Sequence, residues 1–232
     1  MAKAGQRTTT YSLDWEVIIN LESRLLRDFQ KTPTIEKGTN LMLVTIGARL
    51  GLRVVDSLNL KWEDLLCIEV GEAFVRVEKK NGKERILVMS TRLKEVLDLV
   101  FELLKPCSTD YIISSQKGKG KSPMSIQNFN RRLKGIIGEY KVRYIGNCSS
   151  HILRKSWVVG AIRKGFEGGD HLSLVKVSKL VGHSNVATTL RYTNFETSQA
   201  FSLFAKYTQT VPPIPRVTVP HSPEFTLQML ML

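Results

Sequence analysis

The chain has 232 residues, 42% of them hydrophobic, enough to bury the core of one large domain or two small ones. Thirty-four Lys and Arg face 21 Asp and Glu, a formal net charge of +13, and a surplus of that size points to a polyanionic partner, nucleic acid first. A membrane span, a secretory signal and a disulfide or zinc framework are excluded: no apolar run reaches roughly 20 residues, the polar start has no apolar h-region, and Cys67, Cys107 and Cys148 are odd in number and far apart, which fits a reducing compartment such as the cytoplasm.

Residues 1–12 read as a loose arm. Over residues 14–29, Trp15, Ile18, Ile19, Leu25, Leu26 and Phe29 recur at helical spacing, with Asp14 near the start and Pro33 as the stop. A second helix over residues 36–50 is apolar enough to be core, and Gly51 ends it. Residues 73–79 then alternate like a strand, and Ile86, Leu87 and Val88 form another. Asn81-Gly82 between them is a hairpin turn signal that puts Lys80 at the tip. A helix covers residues 91–104 and Pro106 closes it; residues 111–113 suggest a short strand and residues 116–123 a basic loop.

Helices follow over residues 126–137, 151–164 and 172–181, with a short one before Tyr192 and another over 197–207. Residues 166–171 read as a small surface loop. A Pro-rich stretch, residues 210–223, leads to an apolar end, residues 225–232. The fold class expected is α+β, mainly helical, with one small antiparallel sheet. The expected organisation is an arm over 1–12, one catalytic domain over 13–208 and a tail over 209–232.

Four stretches carry chemistry together: Gly51-Leu52-Arg53 with Asp56, the hairpin Lys80, His151-Ile152-Leu153-Arg154, and Leu180-Val181-Gly182-His183 leading to Arg191-Tyr192. The inventory is two arginines, one lysine, two histidines and one tyrosine, with no carboxylate pair, metal-ligand cluster or Gly-rich phosphate loop. Such a set suits phosphoryl transfer without metal or other cofactor. Two guanidiniums grip a phosphate bidentately and stabilise transition-state charge. A tyrosine hydroxyl is a covalent nucleophile once cations or a base offset its ordinary pKa of about 10. A lysine can protonate a departing sugar oxygen. Taken singly, each piece is an ordinary helix cap, solvated lysine or packed tyrosine; the joint order carries the reading.

That order resembles the tyrosine recombinase family of phage integrases and Xer proteins, over about residues 14–207. Leu180 to Thr193 is similar to the family's C-terminal signature, with His183 nine residues before Tyr192. The first-arginine box matches Gly51-Leu52-Arg53, where the resemblance implies that Asp56 supports Arg53. His151 and Arg154 match the His-x-x-Arg box, with Lys155 where the family often has histidine. Lys80 aligns with the hairpin lysine; Lys79 and Lys83 are its rivals.

The resemblance implies the tyrosine recombinase catalytic-domain fold and a site-specific recombinase or integrase of a mobile element. Arg53 and Arg154 would hold the scissile phosphate, Lys80 protonate the leaving 5′ oxygen, His151 handle the proton of Tyr192, and His183 bond the phosphate. Tyr192 would form a 3′-phosphotyrosyl bond. The partners implied are double-stranded DNA, further copies of the chain in a tetramer, and accessory DNA-bending proteins; the location is cytoplasmic, on DNA. Lys117, Lys119, Lys121, Arg131 and Arg132 are expected to contact the DNA backbone, a solvated basic surface being the alternative. Family members carry an additional N-terminal DNA-clamping domain, so the chain is expected to be a minimal enzyme or a piece of a longer one. Other functions compatible with the residues are type IB topoisomerase chemistry, which rejoins the same strand, and a DNA-binding module without catalysis.

Overall fold

A helix that is apolar on all sides belongs in the middle of a domain, and residues 35–50 supply one. The computed structural model describes residues 10–190 apart from Gln116, Ile145 and Ser184. Its helices are α1 (Trp15–Lys31), α2 (Ile35–Leu50), α3 (Val54–Leu58), α4 (Thr91–Leu104), α5 (Ile126–Glu139), α6 (His151–Glu167), α7 (Ser173–Leu180) and α8 (Val186–Leu190). The strands β1 (Ala73–Val77) and β2 (Glu84–Val88) form an antiparallel hairpin. The mainly helical α+β expectation is met.

In α2, 11 of 16 residues are buried, and α1, α4, α5 and α6 pack around it. The amphipathic α1 contributes Ile18, Leu21, Leu25 and Phe29 to the core, joined by Leu93, Val96, Leu97 and Val100 of α4 and Phe129, Leu133 and Ile136 of α5. Gly47 lets α6 approach closely, since a Cβ there would lie 2.5 Å from Leu153 Cδ1. A smaller apolar cluster of Val158, Ile162, Val177 and Val181 joins α6 to α7.

Local chemistry sets the ends. Thr34 Oγ1, Ser90 Oγ and Ser125 Oγ accept from Lys37 N, Leu93 N and Asn128 N at the starts of α2, α4 and α5. Asp14 precedes α1 without a side-chain cap bond and pairs with Arg163 at 3.6 Å. Of the arm expected at the N-terminus, the described part is held to α6. Lys155 Nζ donates to Thr10 O at 2.5 Å, and just past the arm Leu13 N donates to Ser156 Oγ at 2.8 Å.

The hairpin pairs Val75 with Ile86 and Arg76 with Arg85. Its polar stripe faces inward: Arg85 is 3% exposed and Glu78 fully buried, while Val75, Val77, Ile86 and Val88 are each more than half exposed. The strand expected over residues 111–113 does not join this sheet. Only isolated bridges form there, Lys61 with Tyr111 and Ser114 with Pro123, because the segment lies beside residues 61 and 123 rather than beside the hairpin. The helix expected over 197–207 and the C-terminal tail lie outside the described residues. None of the described helices is long and apolar enough to cross a membrane.

Candidate active site

The site grows from the C-terminal end of α2. Gly51 turns the chain left-handed, with φ +56, and Arg53 follows as the N-terminal cap residue of α3. The carbonyls at a helix end have lost their intrahelical partners and carry the negative end of the dipole. Two guanidiniums meet that need here. Gly51 O accepts from Arg154 Nη1 at 2.8 Å and from Arg85 Nη1 at 3.3 Å. The same two arginines clasp the end of α7: Arg154 Nη2 donates to Val181 O at 2.7 Å and Arg85 Nε to Leu180 O at 2.8 Å. One pair of cations thus ties the first-arginine turn to the turn that carries His183.

Glu78, where the hairpin turn begins, is the counter-ion. Its carboxylate pairs with Arg53 Nη1 through Oε2 and lies 3.6 Å from Arg85 Nη1 through Oε1. A fully buried carboxylate needs such partners, since unpaired it would cost several kcal/mol in lost hydration. Burial, followed by the neighbouring Arg154, lowers the Arg85 guanidinium to about 10, against the opposing pull of Glu78. Asp56, expected beside Arg53, instead accepts from the backbone N of Lys79 at 2.9 Å. The acid paired with Arg53 is therefore Glu78, and Asp56 fixes the start of the lysine turn. Glu78 and Arg85 escaped the sequence reading; the available signal was three charged residues, Arg76, Glu78 and Arg85, on the face that also holds Phe74 and Leu87.

The turn sets Lys79 apart from the other two candidate lysines, Lys80 and Lys83. Lys79 Nζ donates to Asn59 Oδ1 at 2.6 Å. Lys80 and Lys83 are both exposed, and neither makes a side-chain hydrogen bond or ion pair among the described residues. Gly82, with φ +65, closes the turn by donating to Glu78 O at 2.9 Å.

His151 opens α6 one turn before Arg154 and is exposed. Desolvation, then Lys155 and Arg154, lower its pKa. His183 follows the left-handed Gly182, φ +68, and its Nδ1 is 2.8 Å from Oγ1 of the fully buried Thr189. Desolvation, then Arg154, Arg53 and Arg85, push His183 down to about 4, so it is neutral at pH 7. The short helix expected before Tyr192 is α8; Tyr192 itself lies outside the described residues. Of the six candidate catalytic residues, the structure thus gathers Arg53, Arg154 and His183 around one pair of helix ends, with Lys80 on the adjoining turn and His151 one helical turn away.

The proposed DNA-contacting residues fall elsewhere. Lys117, Arg131 and Arg132 line a cleft of about 530 Å³ with Glu36, Asn40 and Asn128. Arg132 Nη1 donates to Asn40 Oδ1 at 3.0 Å. Lys119 borders a separate apolar cavity of about 680 Å³ beside Trp62 and Leu104. Lys121 pairs with Asp110 at 2.7 Å.

Comparison with known proteins gives the family and the fold. The model of the phage integrase family matches residues 21–199. A resolvase of Bacillus thuringiensis named TnP I is 30% identical over 159 residues, 67% of this chain and 49% of that protein. Tyrosine recombinase XerC of Proteus mirabilis is 30% identical over 183 residues, 75% of this chain and 52% of that protein. The chain spans about half the length of the curated relatives it matches. Among solved structures, the post-cleavage complex of XerH recombinase with palindromic difH substrate superposes with a TM-score of 0.62 at 21% identity, covering 89% of this chain and 56% of that one. A lambda integrase dimer bound to a COC′ core site gives 0.56 at 19%, covering 83% and 51%.

Proposed function

The chain belongs to the phage integrase family, and from that premise we propose that it cuts and rejoins double-stranded DNA through a 3′-phosphotyrosyl bond on Tyr192. The observation that carries this reading is the convergence at Gly51: Arg53 leaves the turn, Arg154 is bound to its carbonyl at 2.8 Å, and the turn bearing His183 is bound to the same arginine at 2.7 Å.

In the proposed reaction, Arg53 and Arg154 hold the two non-bridging oxygens of the scissile phosphate and stabilise the charge that grows on them. The Tyr192 oxygen attacks phosphorus and the bond to the 5′ oxygen breaks. His151, its pKa lowered by desolvation and by Lys155 and Arg154, takes up the phenol proton. Lys80, with no partner among the described residues to hold it, delivers a proton to the 5′ oxygen. His183 is neutral, and in the tautomer in which Thr189 donates to Nδ1 its Nε2 carries a proton for a phosphate oxygen. A 5′ hydroxyl of another strand then attacks the phosphotyrosine and releases Tyr192. The number of phosphate ester bonds is unchanged, so no external energy source is required.

The cleft of Lys117, Arg131 and Arg132 supports a second phosphate contact. It borders Asn40, 11 residues before Gly51 along α2, which corresponds to roughly 17 Å. Such a separation lets one duplex touch both. The complexes of XerH and lambda integrase with DNA support DNA as the partner. Recombination also calls for a tetramer on two duplexes, where a type IB topoisomerase works as a monomer on one.

A nicked suicide duplex, which loses its 5′-hydroxyl fragment after cleavage, tests the proposal. Wild-type protein is expected to accumulate a denaturant-resistant DNA adduct and Tyr192→Phe none, with DNA affinity nearly unchanged because it comes from the basic surface. An adduct that persists in Tyr192→Phe contradicts the proposal.

A further inference from the structure

We propose that Glu78 is a positioning residue that locks the Arg53 guanidinium to the lysine turn, so that phosphate grip and leaving-group protonation share one rigid frame. The inference rests on the reading of Arg53 and Lys80 given above and concerns a residue outside that reading.

Three observations converge on Glu78. Its side chain is fully buried and pairs with both Arg53 and Arg85. Its backbone closes the lysine turn at both ends: Glu78 N donates to Lys83 O and Glu78 O accepts from Gly82 N, each at 2.9 Å. The next residue is anchored as well, through Lys79 N to Asp56 Oδ1 on α3, the helix that Arg53 starts. A shift of the turn must therefore move the carboxylate that holds Arg53.

The charges explain why this carboxylate does not disable the site. Arg53 presents a planar fork of five N–H donors. Glu78 engages it at Nη1 and leaves the remaining donors for a phosphate. Arg85, buried behind the carboxylate, balances the negative charge, so the three groups together stay cationic toward DNA. Arg53 is 26% exposed in its side chain, and Glu78 is its one ion-pair partner among the described residues.

The test is Glu78→Gln, which keeps shape and removes charge, measured on the suicide duplex at saturating protein. The expected result is a covalent-adduct rate lower by on the order of 10²-fold, the scale of a misplaced catalytic group. The dissociation constant for intact DNA is expected to stay equal or become tighter, since a negative charge has left the phosphate site. In an Arg53→Lys background, Glu78→Gln is expected to cost little more, because the residue acts through Arg53. If Glu78→Gln does not fold by circular dichroism, Glu78→Asp keeps the charge with a shorter reach, and the same split is expected in smaller measure. A rate equal to or above wild type overturns the inference, as does a full additive loss in the Arg53→Lys background, which would mark a purely structural role. A wild-type protein that forms no adduct overturns the proposed function itself and is distinguishable on the same gel.

Discussion

Replacing Gly51 by alanine introduces two separable penalties. The backbone there is left-handed, φ +56, which costs a residue with a Cβ roughly 1–2 kcal/mol. The new methyl would also lie 2.7 Å from Trp157 Cδ2 and Cε3, an overpacking that typically costs about 1–3 kcal/mol. Alanine restricts the unfolded chain and recovers about 0.4–1 kcal/mol, leaving a net loss of roughly 2–4 kcal/mol. Gly82 is the matched control: its φ is +65 and nothing lies within 4 Å of its would-be Cβ, so Gly82→Ala should cost only about 1 kcal/mol. Urea unfolding followed by tryptophan fluorescence, with both variants at one pH, measures the difference. Trimming the neighbour, as in Gly51→Ala with Trp157→Leu, should cost less than the sum of the two single changes. Equal losses for Gly51→Ala and Gly82→Ala, or strict additivity with Trp157→Leu, would refute the close approach of Trp157 to this turn.

Other expectations follow from the same geometry. Arg154→Ala should lower the cleavage rate by at least about 10²–10³-fold and also destabilise the fold, since it removes the donor to Val181 O and leaves Gly51 O only the longer bond to Arg85; Arg53→Ala should lose cleavage similarly but retain the carbonyl contacts of Arg154. Suicide-substrate kinetics alongside urea midpoints separate the two. His183 sits near 4 when folded and near 6.5 when unfolded. As pH falls through that window the unfolded chain binds the proton that the folded state refuses, so stability should drop, and His183→Gln should flatten the drop between pH 7 and 4; an unchanged slope would contradict the burial of this imidazole among cations. Lys117→Gln with Arg131→Gln should weaken binding to all DNA sequences and flatten its salt dependence. Lys121→Gln should do less, because Asp110 already neutralises Lys121. An intact salt slope in the double variant would place the cleft outside the DNA footprint.

Much of this molecule was legible in residue order because its signals are local. Asn81-Gly82 announced the hairpin, Gly51 the end of the central helix, and Pro33 and Pro106 the stops of their helices. The box residues were legible because their chemistry is unusual in combination. What could not be read were decisions made in three dimensions. Alternation over residues 73–79 puts Phe74, Arg76 and Glu78 on one face and Val75 and Val77 on the other, without saying which face turns inward. The polar face turned inward because Arg85 and Glu78 find partners at Gly51, Leu180 and Arg53, all distant in sequence. The same distance hid the partner of Arg53: Asp56 was the nearer acid, yet its carboxylate is taken by the turn at Lys79. Of three lysines alike in one turn, only Lys79 is set apart, by the bond of its ammonium to Asn59. Residues 111–113 have the apolar, aromatic makeup of a strand, but their neighbours offered only single bridges.

The most direct test of the central claim is to identify the amino acid that carries the DNA. Adduct from a suicide duplex labelled on the 3′ side of the cleavage product, digested with nuclease and trypsin, can be sequenced by mass spectrometry. The account predicts a nucleotide 3′-phosphate esterified to the hydroxyl of Tyr192, with no labelled peptide recovered from Tyr192→Phe. A phosphate linked to any other residue, or through a 5′ rather than a 3′ oxygen, would contradict it.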